Sequence, residues 1–280
     1  MPRRLWAVFA VIAAVTGCGG SQAGDPALRG ITSVLLERHG KVVIERYYQG
    51  TRPSDRLPIF SITKSVTSAL VGMAIADGRL SGVDERLPWR RQVTVGQLLS
   101  MTAGYAPSVS FKRTDPESLA DRPLLNRPGT FAYDSGSMDL LADLIARATG
   151  MPAAAYARRR LFGPMGITAE RWPGSRGSSG LLLRPRDLLA FGQLYLDGGV
   201  WHGKRIVPAR WIRMSTRAHA VVRRGLHYGF GWWIRSGSYA GYGYLGQVLA
   251  VFPGRDEVVL VTSSREDADP LALVRRLTRG

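Results

Sequence analysis

The feature that most constrains the fold is a change of hydrophobic period along the chain: strand-like runs stand at both ends, with helical patterns between them. Residues 31–38 and 41–48 are rich in β-branched and aromatic residues and flank His39-Gly40, which predicts a hairpin. Near the other end, four short runs predict an antiparallel meander. These runs are 228–234, 238–245, 248–252 and 258–263, and glycine or proline separates them. We therefore expect one sheet built from both chain termini.

The middle of the chain predicts a lobe of helices, because apolar residues recur there at helical spacing. Thr94 is a typical helix-capping residue, and Pro152, Pro185 and Pro208 stand where helices begin. The predicted helices are 61–76, 94–101, 137–149, 153–162, 185–197, 208–217 and 270–278, and 105–135 is predicted to be mostly loop. The expected fold class is α/β (α+β), with an antiparallel sheet built from both termini, flanking helices and an inserted all-helical lobe.

The length of the chain fits one large domain or two interleaved lobes. We predict a single domain over residues 31–280. Its α/β lobe would comprise about 31–85 and 225–280, and its helical lobe about 86–224.

The N-terminal residues 1–17 are typical of a signal peptide, since a basic start precedes an apolar run that is too short to span a bilayer. The single cysteine, Cys18, follows a small residue, as in a bacterial lipobox, where the signal is cut before the cysteine and the thiol is lipidated. We therefore expect a flexible tether at 18–30 and a membrane-anchored lipoprotein of the bacterial cell envelope, facing outside the cytoplasm. The alternative is an ordinary secretory signal with an incidental cysteine.

The formal net charge of +17 raises nucleic acid or an anionic membrane as partners. Arginine is scattered along the chain, with one block at residues 158–160, and no zinc-finger, RNA-recognition or basic-zipper pattern accompanies it. We therefore predict no nucleic-acid partner. Binding of an anionic membrane through the basic surface stays open as a hypothesis, and the sequence predicts no oligomeric state.

A candidate nucleophile lies at the start of a predicted helix, where Ser61 and Lys64 are three residues apart. Side chains at that spacing share a helix face, so the lysine amine can reach the serine hydroxyl. A buried lysine can lose its proton and activate a serine without any histidine. The pattern is expected about once by chance in such a chain, although lysine is scarce here, at four residues. The alternative is a solvated amphipathic helix with a surface lysine.

Two further segments could complete such a site. Tyr133 lies in a predicted loop before a helix, where a phenol can point into a cleft and serve acid–base chemistry. Residues 242–247 lie on a predicted strand, where glycines indicate the close approach of a backbone or a ligand. An edge-strand amide there could pair with the Ser61 amide to hold an oxyanion. The alternatives are a tyrosine packed on the helical lobe and a glycine-softened strand without a ligand. Trp232 and Trp233 are expected to pack within the sheet, facing opposite ways.

Together, these segments resemble the motifs of the serine β-lactamase and penicillin-binding-protein superfamily. The matching residues are Ser61-Ile62-Thr63-Lys64, Tyr133-Asp134-Ser135 and Tyr244-Leu245-Gly246-Gln247. The chain looks most like the β-lactamase-related branch of 6-aminohexanoate-dimer hydrolases and family VIII-type esterases. The resemblance extends from about residue 31 to 264 and implies a β-lactamase/transpeptidase-like fold.

The resemblance also implies a serine hydrolase that works by two-step acyl transfer. Ser61 would attack the carbonyl carbon, and Lys64 and Tyr133 would move its proton. The backbone amides of Ser61 and Gln247 would hold the oxyanion. The substrate-binding residues would be Ser135, Tyr244 and Gly246. No cofactor is expected, and no metal, because the four histidines are far apart and lack metal-ligand spacing.

Two positions depart from the superfamily pattern and narrow the expected substrate. The second motif usually ends in asparagine and the third usually begins with lysine or histidine, but these positions hold Ser135 and Tyr244. The cation that would bind a β-lactam carboxylate is thus missing at the latter position. We expect a small ester or amide, or a peptide, as the substrate. The alternatives are a D,D-peptidase or weak β-lactamase, and a catalytically idle envelope protein that uses the same fold for binding or sensing.

Overall fold

An eight-stranded antiparallel sheet forms the centre of the computed structural model, which describes residues 26–107, 115–168 and 170–278. The strands of these residues are β1 (Ile31–Arg38), β2 (Lys41–Tyr47), β3 (Leu57–Pro58), β4 (Leu182–Leu183), β5 (Val200–Trp201), β6 (Lys204–Arg205), β7 (Ala220–Arg223), β8 (Leu226–Tyr228), β9 (Trp233–Arg235), β10 (Ser238–Gly243), β11 (Gln247–Phe252) and β12 (Glu257–Ser263). The large sheet has the order β2-β1-β12-β11-β10-β9-β8-β7, while β3 pairs with β4 and β5 with β6. The pairing of β1 with β12 confirms the prediction of one sheet built from both ends of the chain.

The helices of the described residues are α1 (Thr63–Ala76), α2 (Val95–Leu99), α3 (Pro116–Ala120), α4 (Ser135–Thr149), α5 (Ala153–Ala157), α6 (Pro185–Leu196), α7 (Ala209–Ser215) and α8 (Pro270–Leu277). The predicted helix 153–162 continues from α5 as a π-helical turn over Arg158–Phe162. The other predicted helices are confirmed to within two residues at either end. Thr94 forms a capping box with Gln97 at the start of α2, as its residue type predicts. α3 lies within the stretch that was expected to be loop.

Helices cover both faces of the sheet and create two hydrophobic cores. α6 packs against β1, β11 and β12 on one face, and α8 packs against β11 and β12 on the other. Glycine permits a very close contact on the first face, since a Cβ at Gly192 of α6 would lie 2.6 Å from the Val258 side chain. The same core encloses α1, whose residues 63–74 are all buried among α4, α5 and α7. This architecture confirms the α/β (α+β) fold class.

The first part of the meander differs from its prediction. The run 228–234 is two strands, β8 and β9, separated by a turn that contains Gly229 and Gly231. This turn lies directly against other backbone, because a Cβ at Gly231 would be 2.7 Å from the carbonyl oxygen of Lys64. β7, which the sequence pattern does not predict, adds a further strand at the edge of the sheet.

The second predicted run, 238–245, ends early as a strand. β10 stops at Gly243, and residues 244–246 form a 3-10 turn in which Leu245 has a left-handed backbone (φ 60°). The prediction that residues 242–247 lie along one strand is therefore wrong. A left-handed residue reverses the chain direction that a strand needs, so β11 begins only at Gln247.

Several predictions about the N-terminus lie outside the described residues. These are the signal peptide at 1–17, the lipidated Cys18 and most of the tether at 18–30. The described end of the tether contains a 3-10 turn, Pro26–Leu28, just before β1. Within the three described ranges, no helix is both long and apolar enough to cross a bilayer. The division of the domain into two lobes stays a prediction.

Candidate active site

The candidate nucleophile and base lie side by side at the start of α1. Ser61 belongs to the 3-10 turn Phe60–Ile62 that leads into α1, and Lys64 is the second residue of the helix. Lys64 Nζ donates a hydrogen bond to Ser61 Oγ at 2.9 Å and another to the carbonyl oxygen of Ser178 at 3.0 Å. Lys64 is 1% exposed. The alternative of a solvated helix with a surface lysine is therefore wrong. The helix face that carries Lys64 is covered by other elements of the fold and not by solvent.

The residue before the candidate nucleophile has a strained backbone. Phe60 has φ 47°, which is unusual for a bulky side chain and costs on the order of 1–3 kcal/mol. The surrounding structure fixes the turn, since the Ile59 amide donates to the Leu181 carbonyl and the Ile62 amide to the Ile59 carbonyl. These hydrogen bonds fix the backbone on both sides of Ser61.

A loop that the sequence analysis did not identify supplies the second acceptor for Lys64. The Ser178 amide donates to Asp139 Oδ1 at 2.9 Å, and Arg176 donates to the other carboxylate oxygen at 3.1 Å. Thr67 of α1 donates to the Gly177 carbonyl oxygen at 2.8 Å. These bonds hold the Ser178 carbonyl in place beside the amine. A run of serine and glycine carries no recognisable motif, so only the tertiary contact reveals this role.

Tyr133 lies beside Lys64, as expected for a residue of the same site. Lys64 Nζ stands 5.0 Å from the centroid of the Tyr133 ring. Within the described part of the chain the Tyr133 hydroxyl makes no hydrogen bond, so it is available to a ligand. The next residue, Asp134, fixes the backbone here: it caps α4 and accepts two hydrogen bonds of 2.8 Å from Arg122. Ser135, predicted to bind substrate, begins α4 and is largely buried.

The third predicted motif forms the other side of the site. Tyr244 is exposed, its ring packs edge-on against Phe60 at 5.6 Å, and its hydroxyl donates to Glu266. That hydrogen bond raises the pKa of Tyr244. Gly246 has φ 84° and packs against Pro270, where a Cβ would lie 3.2 Å from the proline ring. Glycine is therefore explained at this position by the backbone conformation of the turn. The motif lies close to Ser61 because Tyr244 packs against Phe60, the residue before Ser61.

Gln247 does not lie at a sheet edge, contrary to the edge-strand expectation. It opens β11, which lies between β10 and β12. Its side chain is buried and donates to the carbonyl oxygens of Tyr244 and Ser263. For Gln247 the edge-strand expectation fails because β10 and β12 flank its strand on both sides.

Residues 241–243 of β10 contact the turn at residues 59–62, which contains Ser61 and is called the nucleophile turn below. β9 pairs only with residues 238–240 of β10, so within the described residues no strand continues the sheet beside the remaining three. A Cβ at Gly243 would lie 2.6 Å from the Ile59 carbonyl oxygen, and one at Gly241 would lie 3.1 Å from Ile62. Alternating glycines thus let β10 lie directly against the turn, with an unpaired backbone edge beside it. The Gly-x-Gly spacing was the signal for this contact.

An aromatic cluster lines the site next to Tyr133. Trp233 stacks on Tyr133 with a centroid distance of 5.7 Å and an interplanar angle of 22°. The other members, each in contact with Trp233, are Phe131, Tyr228 and Tyr242. Burial raises the pKa of Tyr228 well above its ordinary value, so this phenol stays neutral. Trp233 is therefore part of the site, whereas Trp232 packs in the core as expected, against Phe191 and Tyr195 and others.

Within the described ranges, no three His, Cys, Asp or Glu residues stand close enough to hold a metal ion. The fold brings Ser61, Lys64 and Tyr133 together from two distant parts of the chain.

The chain is similar to several known proteins. A family model described as Beta-lactamase matches residues 26–279. The chain is 25% identical over 289 residues to a 6-aminohexanoate-dimer hydrolase from Paenarthrobacter ureafaciens, with 85% of this chain and 74% of that protein covered. The crystal structure of a penicillin binding protein from Bacillus halodurans is similar with a TM-score of 0.76 at 15% identity, covering 89% of this chain and 97% of that one. EstCE1, a hydrolase with promiscuous acyltransferase activity, is similar with a TM-score of 0.72 at 17% identity, covering 88% and 92%. The two structural likenesses show a shared fold.

Proposed function

The chain belongs to the Beta-lactamase family, and on that premise we propose that it is a serine hydrolase that cleaves small esters or amides through a covalent acyl-enzyme on Ser61. The observation that carries the proposal is the 2.9 Å contact between Lys64 Nζ and Ser61 Oγ, made by a lysine that is 1% exposed. A lysine is almost never fully buried unless it is paired. Here one of its two partners is the hydroxyl of a partly exposed serine.

Acylation would join Ser61 Oγ to the carbonyl carbon of the substrate while the serine proton passes to Lys64, acting as the general base. The tetrahedral intermediate then collapses, and the bond to the leaving group breaks. The leaving group takes up that proton directly or through the Tyr133 hydroxyl. A water molecule next attacks the acyl carbon and gives a proton to the lysine, which returns it to Ser61 Oγ as the ester bond breaks. The products are a carboxylic acid and an alcohol or amine.

The developing oxyanion needs backbone donors, and we propose that the amides of Ser61 and Tyr244 supply them. Ser61 stands at the N-terminal end of α1, where amides lack a helical partner and the helix dipole favours negative charge. Tyr244 follows Gly243, whose close approach to Ile59 brings the unpaired end of β10 beside the nucleophile turn. We choose Tyr244 over Gln247 for the second donor because Gln247 opens an interior strand. The role predicted for the Gln247 amide stays a prediction.

The walls of the site favour a neutral substrate with an apolar or aromatic group. Trp233 and Phe131 stand on the Tyr133 side, and Phe60 and Tyr244 stand on the other. Many superfamily members have a lysine or histidine at this position, but here Tyr244 donates a hydrogen bond to Glu266. Tyr244 therefore offers no positive charge to a carboxylate of the substrate. The relatives named a 6-aminohexanoate-dimer hydrolase and a hydrolase with acyltransferase activity support acyl transfer to and from a nucleophile.

The test is covalent labelling and turnover in wild type and Ser61→Ala. We expect a fluorophosphonate probe to label wild type and p-nitrophenyl esters to be hydrolysed, with both activities lost in Ser61→Ala. Ser68→Ala is a matched control, since Ser68 lies on the same helix and its buried hydroxyl has no partner in the described residues. The panel of substrates comprises short esters, linear amides, D-Ala peptides and nitrocefin. If folded wild type is neither labelled nor active on this panel, the result favours the alternative of a catalytically idle binding or sensing protein.

We also propose that the protein is tethered to the cell envelope by lipid at Cys18. The proposal rests on the signal-like N-terminus and the single cysteine after a small residue. Cys18→Ser is expected to move the protein from the membrane fraction to the soluble envelope fraction. Unchanged membrane association, with no lipid found by mass spectrometry of the wild type, would refute the anchor.

A further inference from the structure

A basic cleft lies at the far end of α1 from Ser61. It has a volume of about 430 Å³ and is lined by Asp77, Arg79, Thr149, Met151, Tyr156, Arg159 and Arg160. Asp77 lies thirteen positions after Lys64 along the helix, which places the cleft about 20 Å from the candidate nucleophile. The cleft therefore takes no part in the chemistry proposed for Ser61.

One arginine of the cleft is fixed by hydrogen bonds to the carboxylate of Asp77. Arg160 donates from two nitrogens to the two carboxylate oxygens of Asp77, and Tyr156 donates to the same carboxylate at 2.9 Å. Burial and that hydrogen bond raise the pKa of Tyr156 to about 12, so its hydroxyl stays a neutral donor. Asp77 thus has its charge matched by Arg160 alone.

Two other arginines of the cleft have no such partner. Among the described residues, the guanidinium groups of Arg79 and Arg159 make no hydrogen bond and no ion pair, and both residues are exposed. Three guanidinium groups and one carboxylate leave the lining with a net charge of +2. The C-terminal ends of α1 and α4 also meet here, but each carries only about half an elementary negative charge. Positive charge therefore remains unmatched in a concave site.

We propose that this cleft binds a phosphate group, carried either by a soluble phosphate ester or by the headgroup of an anionic lipid. A guanidinium presents planar donors that suit two phosphate oxygens at once. A dianionic monoester would balance the charge of +2 on the side chains alone, and a phosphodiester would balance the charge of about +1 that remains once the two helix ends are counted. The cleft also gives a use to the arginine block at 158–160: Arg158 pairs with Glu170 and Arg160 with Asp77, which leaves Arg159 for the ligand.

The first experiment titrates the full chain with inorganic phosphate and with glycerol 1-phosphate at constant ionic strength, using calorimetry and the melting temperature. We expect saturable binding that Arg79→Gln/Arg159→Gln weakens at least about tenfold. The matched control is Arg210→Gln/Arg213→Gln on α7, which removes the same charge from exposed arginines whose side chains make no hydrogen bond or ion pair within the described residues. It should leave phosphate binding unchanged, and neither double variant should alter ester hydrolysis.

The second experiment distinguishes the two sources of phosphate. Co-sedimentation of the protein is measured with phosphatidylcholine vesicles and with vesicles that also contain phosphatidylglycerol. The readout is the additional binding to the phosphatidylglycerol vesicles, because a lipid anchor would bind both kinds of vesicle. Loss of this difference in the cleft variant but not in the α7 variant identifies a lipid headgroup. An equal difference in both variants, with soluble phosphate binding lost only in the cleft variant, identifies a soluble ester. The proposal is overturned if phosphate does not bind, or binds the cleft variant as tightly as wild type; a lower melting temperature without any phosphate dependence would mean that the arginines only complement the helix ends.

Discussion

An alanine at Gly243 would test whether the contact between β10 and the nucleophile turn sets the geometry of the reaction. The glycine has φ −124° and ψ 157°, an extended conformation that any residue adopts, so alanine adds no backbone strain. Its new Cβ would lie 2.6 Å from the carbonyl oxygen of Ile59, a backbone atom two residues before Ser61. To reach an ordinary contact of 3.4 Å, the strand and the turn must separate by about 0.8 Å (3.4 minus 2.6).

A displacement of nearly 1 Å at the reacting atoms costs about 10²-fold in rate, which corresponds to about 2.7 kcal/mol of transition-state stabilisation. We expect most of the loss in kcat, because the attacking oxygen and the oxyanion donors move apart while the aromatic walls remain. The free energy of unfolding should fall by about 1–3 kcal/mol, as in other overpacked sites. Steady-state hydrolysis of p-nitrophenyl acetate, the rate of fluorophosphonate labelling and urea unfolding measure these quantities.

Gly241→Ala is the matched control on the same strand. Its Cβ would lie 3.1 Å from Ile62 Cγ2 and 3.2 Å from Ser65 Oγ, and both are side-chain atoms that can shift. The change in kcat/KM should therefore stay below about fivefold. The reasoning is refuted if folded Gly243→Ala keeps its kcat/KM within about threefold of wild type, or if both variants lose activity equally.

Three further predictions concern the base, the aromatic wall and pH. Lys64→Met should slow acylation by about 10³-fold while the protein stays folded, because the amine is removed but the buried space is filled; rapid-quench labelling measures the rate. Trp233→Ala should lower kcat/KM for p-nitrophenyl phenylacetate about tenfold more than for p-nitrophenyl acetate, because the wall on which an aromatic acyl group packs is lost. Burial and two nearby carboxylates raise the pKa of Glu37 to about 7, so between about pH 4.5 and 7 the native state holds a proton that the unfolded state has released. Stability should therefore be lost as pH rises through this window, by roughly 1–3 kcal/mol, and Glu37→Gln should abolish this loss in urea unfolding.

Each of these predictions has a clear contrary outcome. Acylation of Lys64→Met near the wild-type rate would remove the lysine from the role of base. An equal loss for both esters in Trp233→Ala would mean that the tryptophan only supports Tyr133. Unfolding energies of wild type and Glu37→Gln that run parallel from pH 4.5 to 7 would show that Glu37 does not titrate there.

Much of the fold follows from local patterns in the sequence. The hairpin of β1 and β2 is set by two β-rich runs around a two-residue turn, and α2 begins where Thr94 and Gln97 can form a capping box. The run 228–234 shows where such reasoning fails. Its aromatic residues have strand propensity throughout, yet Gly231 turns the chain because it must lie against the Lys64 carbonyl oxygen. That constraint comes from a helix more than 160 residues earlier.

The sequence by itself determined which chemical groups could act, because a spacing of three residues places Ser61 and Lys64 on one helix face whatever surrounds them. It could not determine that Lys64 is buried, since this depends on α4, α5 and the 3-10 turn of Ser61 closing around α1. Tertiary structure alone decided that the Ser178 carbonyl accepts from the same amine and that Gly243 touches the nucleophile turn. The physical reason is that spacing and propensity act over a few residues, whereas burial and backbone contact require segments that are far apart in the chain to pack together.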